Sequence, residues 1–332
     1  MATVNWTLST AGSPHAVIVG IPGQGKSVST QNIVHQLHQQ KIATLSFDFH
    51  GDMANSAQTD AVIVDVGEHG LPFSPFEIRS VGSNPAKSAA LEIADILTVV
   101  GGLGEIQRHH VYSALLASYE KLGWVGTSQG SRLPKMEEFV ANLRNVEGQQ
   151  MGKNAEARLM DITEFDLFRD ENPVQFDVLG VSGTIFRVDS MGSEAVKLAA
   201  GAFLLRKIYN EMFRWGQSPG IRLVVVLDEA HLLAKDVTIP KLMKEGRKFG
   251  ISLLLVSQSL DDFRSEVLEN AGTKIAFRTN FPSSKKIAQL LGGSNVTSLA
   301  TAIEKLQVGE AYISTAAYSQ PKKTKMQVTE PR

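Results

Sequence analysis

An eight-residue glycine-rich segment, 20–27, matches the pattern G-x-x-x-x-G-K-[ST]. The apolar run 15–19 precedes it and reads as a short strand, and the stretch 27–39 that follows carries apolar residues near helical spacing. Glycines let successive backbone N–H groups converge on an anion, and the positive dipole end of a following helix lies at the same place. A chance match would occur in roughly one per cent of chains of this length. The segment therefore predicts a phosphate-binding loop.

The loop and the first helical turn define the expected nucleotide contacts. Lys26 is predicted to reach the β- and γ-phosphates of ATP and to act in catalysis, and the Ser27 hydroxyl to ligate Mg²⁺. The full set of expected nucleotide-binding residues in this segment is Gly20, Gly23, Gln24, Gly25, Lys26, Ser27 and Val28.

A second motif lies at the end of the apolar run 221–227, which is typical of a central parallel strand buried on both faces. Asp228 and Glu229 follow this run directly, at the edge where open α/β sheets bind ligands. We expect Asp228 to hold Mg²⁺ and Glu229 to polarise the water that attacks the γ-phosphate. The alternative is a helix N-cap with a dipole partner. His231 is either a phosphate sensor or a polar neighbour.

Another buried-strand pattern, 251–256, ends in Ser257 and Gln258. The Gln258 amide is predicted to contact the γ-phosphate or the attacking water, and the alternative is an ordinary strand-end turn. Before this strand, 244–250 carries several cations and ends in a glycine. Such cations also serve as helix C-terminal partners, with the glycine as the left-handed stop.

In this order and spacing, the four motifs resemble the HerA/FtsK family of ring-shaped DNA motors. The third of them is the pattern R-K-x-G at 247–250. The resemblance covers most of the chain and is weakest at about 101–177. Ser74 stands where the family usually has Asn. Further segments that are similar to the family lie at 47–52, 71–77, 275–278, 284–292 and 306–311.

The resemblance implies a RecA-like (ASCE) P-loop NTPase that binds ATP and Mg²⁺, forms a homo-oligomer, most often a hexamer, and acts on double-stranded DNA. It implies that Arg247 is an arginine finger inserted into a neighbouring subunit's nucleotide, an interaction worth ~10³–10⁵ in rate. It assigns Arg278 as a second phosphate sensor, and the alternative is an arginine paired with a surface acid. The need for a nuclease or other accessory protein stays open.

The pattern along the chain predicts an α/β fold, a mainly parallel sheet with helices on both faces. The ATPase core is expected at 1–102 and 176–318, an all-helical insertion at 103–175 and a polar tail at 319–332. Strands are expected near 15–19, 42–48, 61–66, 183–189, 221–228, 251–256, 273–278 and 308–314.

Several side chains have two readings each. Asp189 either joins the magnesium shell or caps a helix, and the cap is favoured. Phe263 either stacks on a base beside Arg264 in a channel loop or packs in the core, and the core is favoured. Other loops considered for a channel are 50–52 and 102–105. Three lysines of the tail, Lys322, Lys323 and Lys325, either contact phosphates or are solvated.

Amino-acid composition limits the classes of protein that remain possible. The 332 residues carry a net charge of −1, which argues against an all-over basic coat for nucleic acid but permits a ring with basic channel loops. The sequence has no cysteine, so it contains neither thiolate zinc sites nor disulfides. No secretion signal and no run near 18 apolar residues is evident, which predicts a cytoplasmic protein without a membrane partner.

Three functions are compatible with these features. The first is an ATP-driven ring motor that translocates or unwinds duplex DNA. The second is an ATP-switched assembly module that binds protein partners through the helical insertion. The third is a small-molecule kinase, which the Asp228-Glu229 pair and the strand ending at Gln258 disfavour.

Overall fold

The computed structural model describes residues 8–55, 61–79, 82–148, 154–169, 176–292 and 294–326. Parts of the predicted domain ranges lie outside the described residues. These parts are 1–7, 56–60, 80–81 and 293 of the core, 149–153 and 170–175 of the insertion, and 327–332 of the tail.

The described strands form one nine-stranded sheet in the order β3-β4-β2-β5-β6-β1-β7-β8-β9. The strands from β3 to β7 in this order are parallel, and β8 and β9 pair antiparallel at one edge. All eight predicted strands are present, with small differences at their ends. The strands are β1 Ala16–Val19, β2 Ala43–Asp48, β3 Val62–Asp65, β4 Gly183–Arg187, β5 Leu223–Leu227, β6 Ile251–Ser257, β7 Thr273–Ala276, β8 Glu310–Thr315 and β9 Lys322–Lys325.

Helices connect most of the strands. Three 3₁₀ turns, Ala230–Leu233, Gly246–Phe249 and Leu260–Asp262, lie beside β5 and β6. The α-helices are α1 Lys26–Gln39, α2 Val66–His69, α3 Pro85–Gly101, α4 Glu105–Lys121, α5 Met136–Glu147, α6 Ala155–Glu164, α7 Glu194–Trp215, α8 Thr238–Glu245, α9 Ser265–Asn270, α10 Ser283–Leu291 and α11 Val296–Glu304.

The sheet is buried on both faces, because alternate residues of each central strand enter two different apolar clusters. Val225 and Leu253 belong to one cluster, which also contains the buried side of α7. Val224 and Leu254 belong to the other, which contains the buried side of α1. The prediction of a mainly parallel sheet covered on both faces is confirmed.

Helices α4, α5 and α6 occupy most of the range predicted as an insertion, and they pack together and onto α3 and α7. The buried Tyr119 hydroxyl of α4 donates a 2.8 Å hydrogen bond to the Phe76 carbonyl, and Asn142 of α5 donates to Ser118 Oγ at 2.8 Å. The helical layer is thus continuous with the core segment that precedes α3. Within the described residues, no helix combines the length and the apolar character needed to cross a membrane.

The range predicted as a polar tail contains a strand, β9, which pairs with β8. Thr324 is buried, and Lys323 forms a 2.8 Å ion pair with Glu310 of β8. The Lys322 ammonium lies 3.9 Å from the centroid of the Tyr318 ring. These lysines are therefore part of a sheet edge, a place where charged side chains are common because they discourage pairing with another chain.

Candidate active site

The carboxyl ends of β1, β2, β5 and β6 meet at one edge of the sheet, because these strands are parallel. This edge carries Lys26 after β1, Asp48 at the end of β2, Asp228 and Glu229 after β5, and Gln258 after β6. The parallel order of the strands thus brings four of the predicted site residues, Lys26, Asp228, Glu229 and Gln258, to one edge of the sheet. Asp48 lies at the same edge.

The glycine-rich loop has the conformation that the motif requires. Gly23 and Gly25 have φ values of 75° and 97°, in the left-handed region that favours glycine. A Cβ at Gly20 would lie 2.6 Å from Phe277 Cβ, so only glycine allows this close approach. Gly25 is the N-cap of α1, and among the described residues no side-chain hydrogen bond caps that helix, which leaves backbone donors at its first turn for an anion.

Two segments distant in sequence hold the phosphate loop, one that follows β7 and one that precedes β8. Ile21 N–H donates a 3.0 Å hydrogen bond to the Arg278 carbonyl, and Gly309 N–H donates a 3.0 Å hydrogen bond to the Gln24 carbonyl. Gln24 Oε1 is buried and has no hydrogen-bond partner among the described residues. Sequence reasoning missed Gly309 as a support of the loop, since the two segments are almost the whole chain apart.

Lys26 is nearly enclosed, with 8% of its surface exposed. Its ammonium donates to the Gly20 carbonyl at 2.7 Å and to the Ile21 carbonyl at 3.1 Å. Burial lowers the pKa of Lys26, and the charges of Glu229 and Asp228 partly oppose this shift. These carbonyls take up two of the three N–H donors of the ammonium.

Asp228 lies among other acids. Burial raises the pKa of Asp228 to about 6, and Glu229 and Asp48 add to the shift while Lys26 opposes it. Asp48 is itself buried and accepts 2.8 Å hydrogen bonds from the N–H groups of Gly51 and Ala54. A concentration of buried negative charge of this kind favours a bound cation.

The donor set fits Mg²⁺ with nucleotide phosphates as its remaining ligands. Asp228 and Ser27 carry hard oxygen donors of the kind that Mg²⁺ prefers, and their role as its ligands stays a prediction. No group of three or more His, Asp or Glu side chains suited to a metal ion occurs in the described part of the chain. A protein that binds Mg²⁺ through one or two side chains and substrate phosphates needs no such group.

Glu229 has a left-handed backbone, with φ 67° and ψ 48°, which is uncommon outside glycine and marks local strain. It precedes the 3₁₀ turn at Ala230, but its side chain makes no capping hydrogen bond there. Instead, Glu229 Oε2 lies 3.5 Å from Gln258 Nε2 and 3.0 Å from His231 Nδ1. The capping alternative therefore does not describe this carboxylate, and its role as base stays a prediction.

The two arginines lie at opposite edges of the sheet. Arg278 lies two residues after the end of β7, beside the phosphate loop, and within the described ranges no carboxylate lies at ion-pair distance from its exposed side chain. Arg247 lies in the turn before β6, where its Nη1 donates a long 3.4 Å hydrogen bond to the Gly12 carbonyl. Gly12 precedes β1, whose four residues span about 13 Å. Arg247 therefore faces away from its own phosphate loop.

Three other side chains for which the sequence left two interpretations, Asp189, Phe263 and Arg264, make contacts within the fold. Asp189 accepts hydrogen bonds from Arg187 at 2.6 and 3.1 Å, and the N-cap of α7 is Ser193, so Asp189 does not cap that helix. Phe263 packs against the main apolar cluster, as the favoured reading expected. Arg264 donates a 2.7 Å hydrogen bond to the Lys235 carbonyl.

The parallel sheet, the phosphate loop and the acidic strand end define a RecA-like P-loop NTPase. Residues 6–208 match the family described as "Helicase HerA, central domain", and residues 222–330 match "TraM recognition site of TraD and TraG". The first match covers more than half of the chain, so the chain belongs to the HerA central-domain family. It is a P-loop ATPase of the HerA/FtsK type.

Curated relatives agree with this family. The chain is 24% identical over 326 residues to the DNA double-strand break repair helicase HerA of Saccharolobus solfataricus, a match that covers 90% of this chain and 61% of the relative. It is 21% identical over 319 residues to the probable helicase MJ1565 of Methanocaldococcus jannaschii, covering 91% of this chain and 60% of the relative. The chain thus spans about three fifths of the length of these relatives.

Solved structures show the same fold. VirB4 of Thermoanaerobacter pseudethanolicus has a TM-score of 0.76 at 18% identity, with 97% of this chain and 91% of that chain covered. The plasmid coupling protein TrwB, in complex with the non-hydrolysable ATP analogue ADPNP, has a TM-score of 0.71 at 18% identity, with 96% and 86% covered. Another structure of TrwB contains ADP and Mg²⁺.

Proposed function

We propose that this chain is the motor core of an ATP-driven ring, a hexamer, that moves double-stranded DNA through its centre and hydrolyses ATP between adjacent subunits. Several relatives are named as DNA repair helicases, which supports action on DNA. A TrwB structure with ADP and Mg²⁺ supports these two ligands. The observation that carries the proposal is the position of Arg247 at the sheet edge opposite its own phosphate loop.

Each residue then has a defined role in the reaction. The backbone N–H groups of the loop and the Lys26 ammonium bind the β- and γ-phosphates. Glu229 accepts a proton from the attacking water, and Gln258 orients either Glu229 or that water. Mg²⁺, held by Ser27 and Asp228 together with the phosphates, would neutralise charge on the phosphate oxygens.

Arg247 acts in the neighbouring subunit's site. Its side chain is exposed, and within the described part of the chain it makes one long hydrogen bond, so the guanidinium is available to a second subunit. In that subunit it offsets the negative charge that develops in the transition state, a contribution of ~10³–10⁵ in rate. Arg278, beside the phosphate loop of its own subunit, is the second phosphate sensor.

Mixed oligomers test the role of Arg247. Protomers with Arg247→Ala keep the phosphate loop, and protomers with Lys26→Ala keep the arginine. In rings that assemble at random from equal amounts, about one quarter of the interfaces pair an intact loop with an intact arginine. We expect the mixture to recover up to about a quarter of wild-type turnover, whereas each variant alone is nearly inactive.

The control is Lys244→Ala, which removes an exposed cation of α8 that pairs with Glu266 at 2.9 Å. This variant is expected to keep wild-type turnover. Full turnover by Arg247→Ala alone would reject the assignment. The assignment would also be rejected if mixed rings, whose composition is verified by native mass spectrometry, showed no recovery of turnover.

Duplex DNA distinguishes a motor from an ATPase that only switches protein assemblies. A motor's turnover rises when duplex DNA is added, and the DNA affinity falls steeply as salt increases, because each neutralised phosphate releases counterions. Strong turnover with no DNA affinity at low salt would favour the assembly ATPase instead. Measuring both quantities over a salt series decides between the two functions.

A further inference from the structure

The turn Gly246–Phe249, which carries Arg247, is attached to α7 by a side-chain hydrogen bond. The Tyr209 hydroxyl donates to Glu245 Oε1 at 3.1 Å. Glu245 is the last residue of α8 and lies two positions before Arg247. Tyr209 is 7% exposed, so α7 holds the donor in a fixed position. The bond therefore fixes the point at which α8 ends and the turn begins.

A group of aromatic rings holds the other end of the same turn. The Phe213 ring on α7 packs edge-on against Phe249 with the centroids 5.0 Å apart, and against Tyr209 at 5.3 Å. The Arg79 guanidinium lies 4.4 Å from the Phe213 centroid and 5.4 Å from that of Tyr209. Cation–π and edge-to-face contacts of this kind constrain the orientation of the rings. Both ends of the turn are thus bound to one face of α7.

Backbone contacts complete the support. Leu253 N–H donates to His15 Nδ1 at 3.0 Å, which makes His15 Nε2 the donor to the Met243 carbonyl at 2.9 Å. Arg222 Nε donates to the Phe249 carbonyl at 2.8 Å. The turn that carries Arg247 is therefore a rigid platform, although the arginine itself is exposed.

The Tyr209–Glu245 contact has little to do with filling the core. Glu245 is exposed, and its carboxylate fills no apolar space. Among the described residues, the hydrogen bond that Arg247 makes is the long one to the Gly12 carbonyl, so the direction of its side chain depends on the backbone of the turn. A contact that fixes this backbone controls where the guanidinium points.

We propose that Tyr209 and Glu245 are positioning residues that aim Arg247 at the nucleotide of the adjacent subunit. This inference rests on the proposed action of Arg247 in a neighbouring site. The two residues touch neither ATP nor the attacking water, and they act only through the turn. Loss of their hydrogen bond displaces the guanidinium and leaves the phosphate loop of the same subunit intact.

The test is a complementation assay with Tyr209→Phe, which removes the hydroxyl and keeps the ring that contacts Arg79 and Phe213. Alone, this variant is expected to lose about 10- to 100-fold in kcat, with KM for ATP changed less than about twofold. Mixed with Lys26→Ala protomers, which supply intact arginines, it should recover turnover as Arg247→Ala does. Mixed with Arg247→Ala protomers, it should recover none.

The opposite pattern would overturn the inference. If the Tyr209→Phe substitution damaged the nucleotide site of its own protomer, mixing with Lys26→Ala protomers would not restore turnover. If Arg247→Ala itself fails to recover with Lys26→Ala, the proposed shared site is wrong. If Arg247→Ala recovers and Tyr209→Phe does not, the shared site stands and the positioning role is wrong. Wild-type turnover by Tyr209→Phe alone would also reject the positioning role.

A pair of substitutions at Glu245 separates hydrogen bonding from charge. Glu245→Gln keeps an oxygen that accepts from Tyr209 and should retain at least about half of wild-type kcat, whereas Glu245→Ala should behave as Tyr209→Phe does. Equal losses in the two Glu245 variants would contradict the role of the hydrogen bond. Tyr112→Phe, a hydroxyl deletion on α4 far along the chain from the turn, is the matched control and should keep wild-type turnover.

Discussion

Gln258 Nε2 lies 3.5 Å from Glu229 Oε2, so the ends of two adjacent parallel strands meet through their side chains. The strained backbone of Glu229 directs its carboxylate to this position and away from the helical turn that follows. An amide partner is neutral, so it orients the carboxylate without supplying an opposing charge. The pair is suited to hold a base at a fixed distance from a water molecule.

Substitution of Glu229 by Gln should separate ATP binding from hydrolysis. The amide cannot accept the proton of the attacking water, and a loss of about 10²–10⁴ in kcat is expected. Because Lys26 and the loop are intact, affinity for ATP should change less than about threefold. Steady-state turnover and equilibrium nucleotide binding measure the two effects. Glu269→Gln, an exposed glutamate of α9, is the control; near-normal turnover by Glu229→Gln would remove Glu229 from the role of base.

Gln258 should affect the rate more than the binding of ATP. Gln258→Ala removes the partner of Glu229 and is expected to lower kcat about tenfold, with a smaller effect on KM. Gln258→Glu places a second carboxylate beside the first and should lower kcat further, since like charges at this distance repel. Gln289→Ala, an exposed glutamine of α10, provides the control. Equal activity of the Ala and Glu variants would contradict a direct contact with Glu229.

The parts of the fold that could be predicted from sequence are those set by local patterns. The apolar runs at 221–227 and 251–256 indicate buried parallel strands, and the carboxyl ends of such strands necessarily share an edge. The sequence alone therefore places Asp228, Glu229 and Gln258 together. β9 could not be predicted, because Lys322–Lys325 is polar and carries no apolar alternation, and its place in the sheet depends on pairing with β8.

The contacts that support the site could not be predicted, because they join residues far apart in sequence. His15 and Met243 are 228 positions apart, and Gly309 lies even farther along the chain from Gln24. No periodicity or motif records such pairs. The left-handed backbone of Glu229 was equally hidden, since residue type alone does not indicate this conformation outside glycine.

Gly20 should tolerate no larger residue. In Gly20→Ala, the added Cβ would lie 2.6 Å from Phe277 Cβ, in a contact between the phosphate loop and the residue that follows β7. Relieving it moves the loop or β7, at an expected cost of roughly 1–3 kcal/mol in the free energy of unfolding and weaker ATP binding. Chemical denaturation and nucleotide titration measure both. Gly12→Ala is the matched control, because nothing lies within 4 Å of its added Cβ. Equal stability of the two variants would show that the loop relaxes freely.

Asp228 is expected to serve catalysis while lowering the free energy of unfolding of the protein without ligands. The pKa of Asp228 is raised to about 6, so the folded protein binds this proton more tightly than the unfolded chain does. The ionised carboxylate therefore destabilises the fold above about pH 6, and this cost disappears as the pH falls toward 4. Asp228→Asn, measured in EDTA without nucleotide, should raise the free energy of unfolding by roughly 1–3 kcal/mol at about pH 7.5.

The pH dependence and the effect of ligand distinguish this cause from a general change in packing. The stability difference between Asp228→Asn and the wild type should shrink steadily between about pH 6 and pH 4, and a constant difference would contradict the role of the charge. With ATP and Mg²⁺ present the order should reverse, because the ligands bind the wild type more tightly and stabilise it by mass action. Asp166→Asn, an exposed aspartate, should show neither effect. Denaturation curves at several pH values, with and without ligands, therefore test Asp228 as a magnesium ligand independently of turnover.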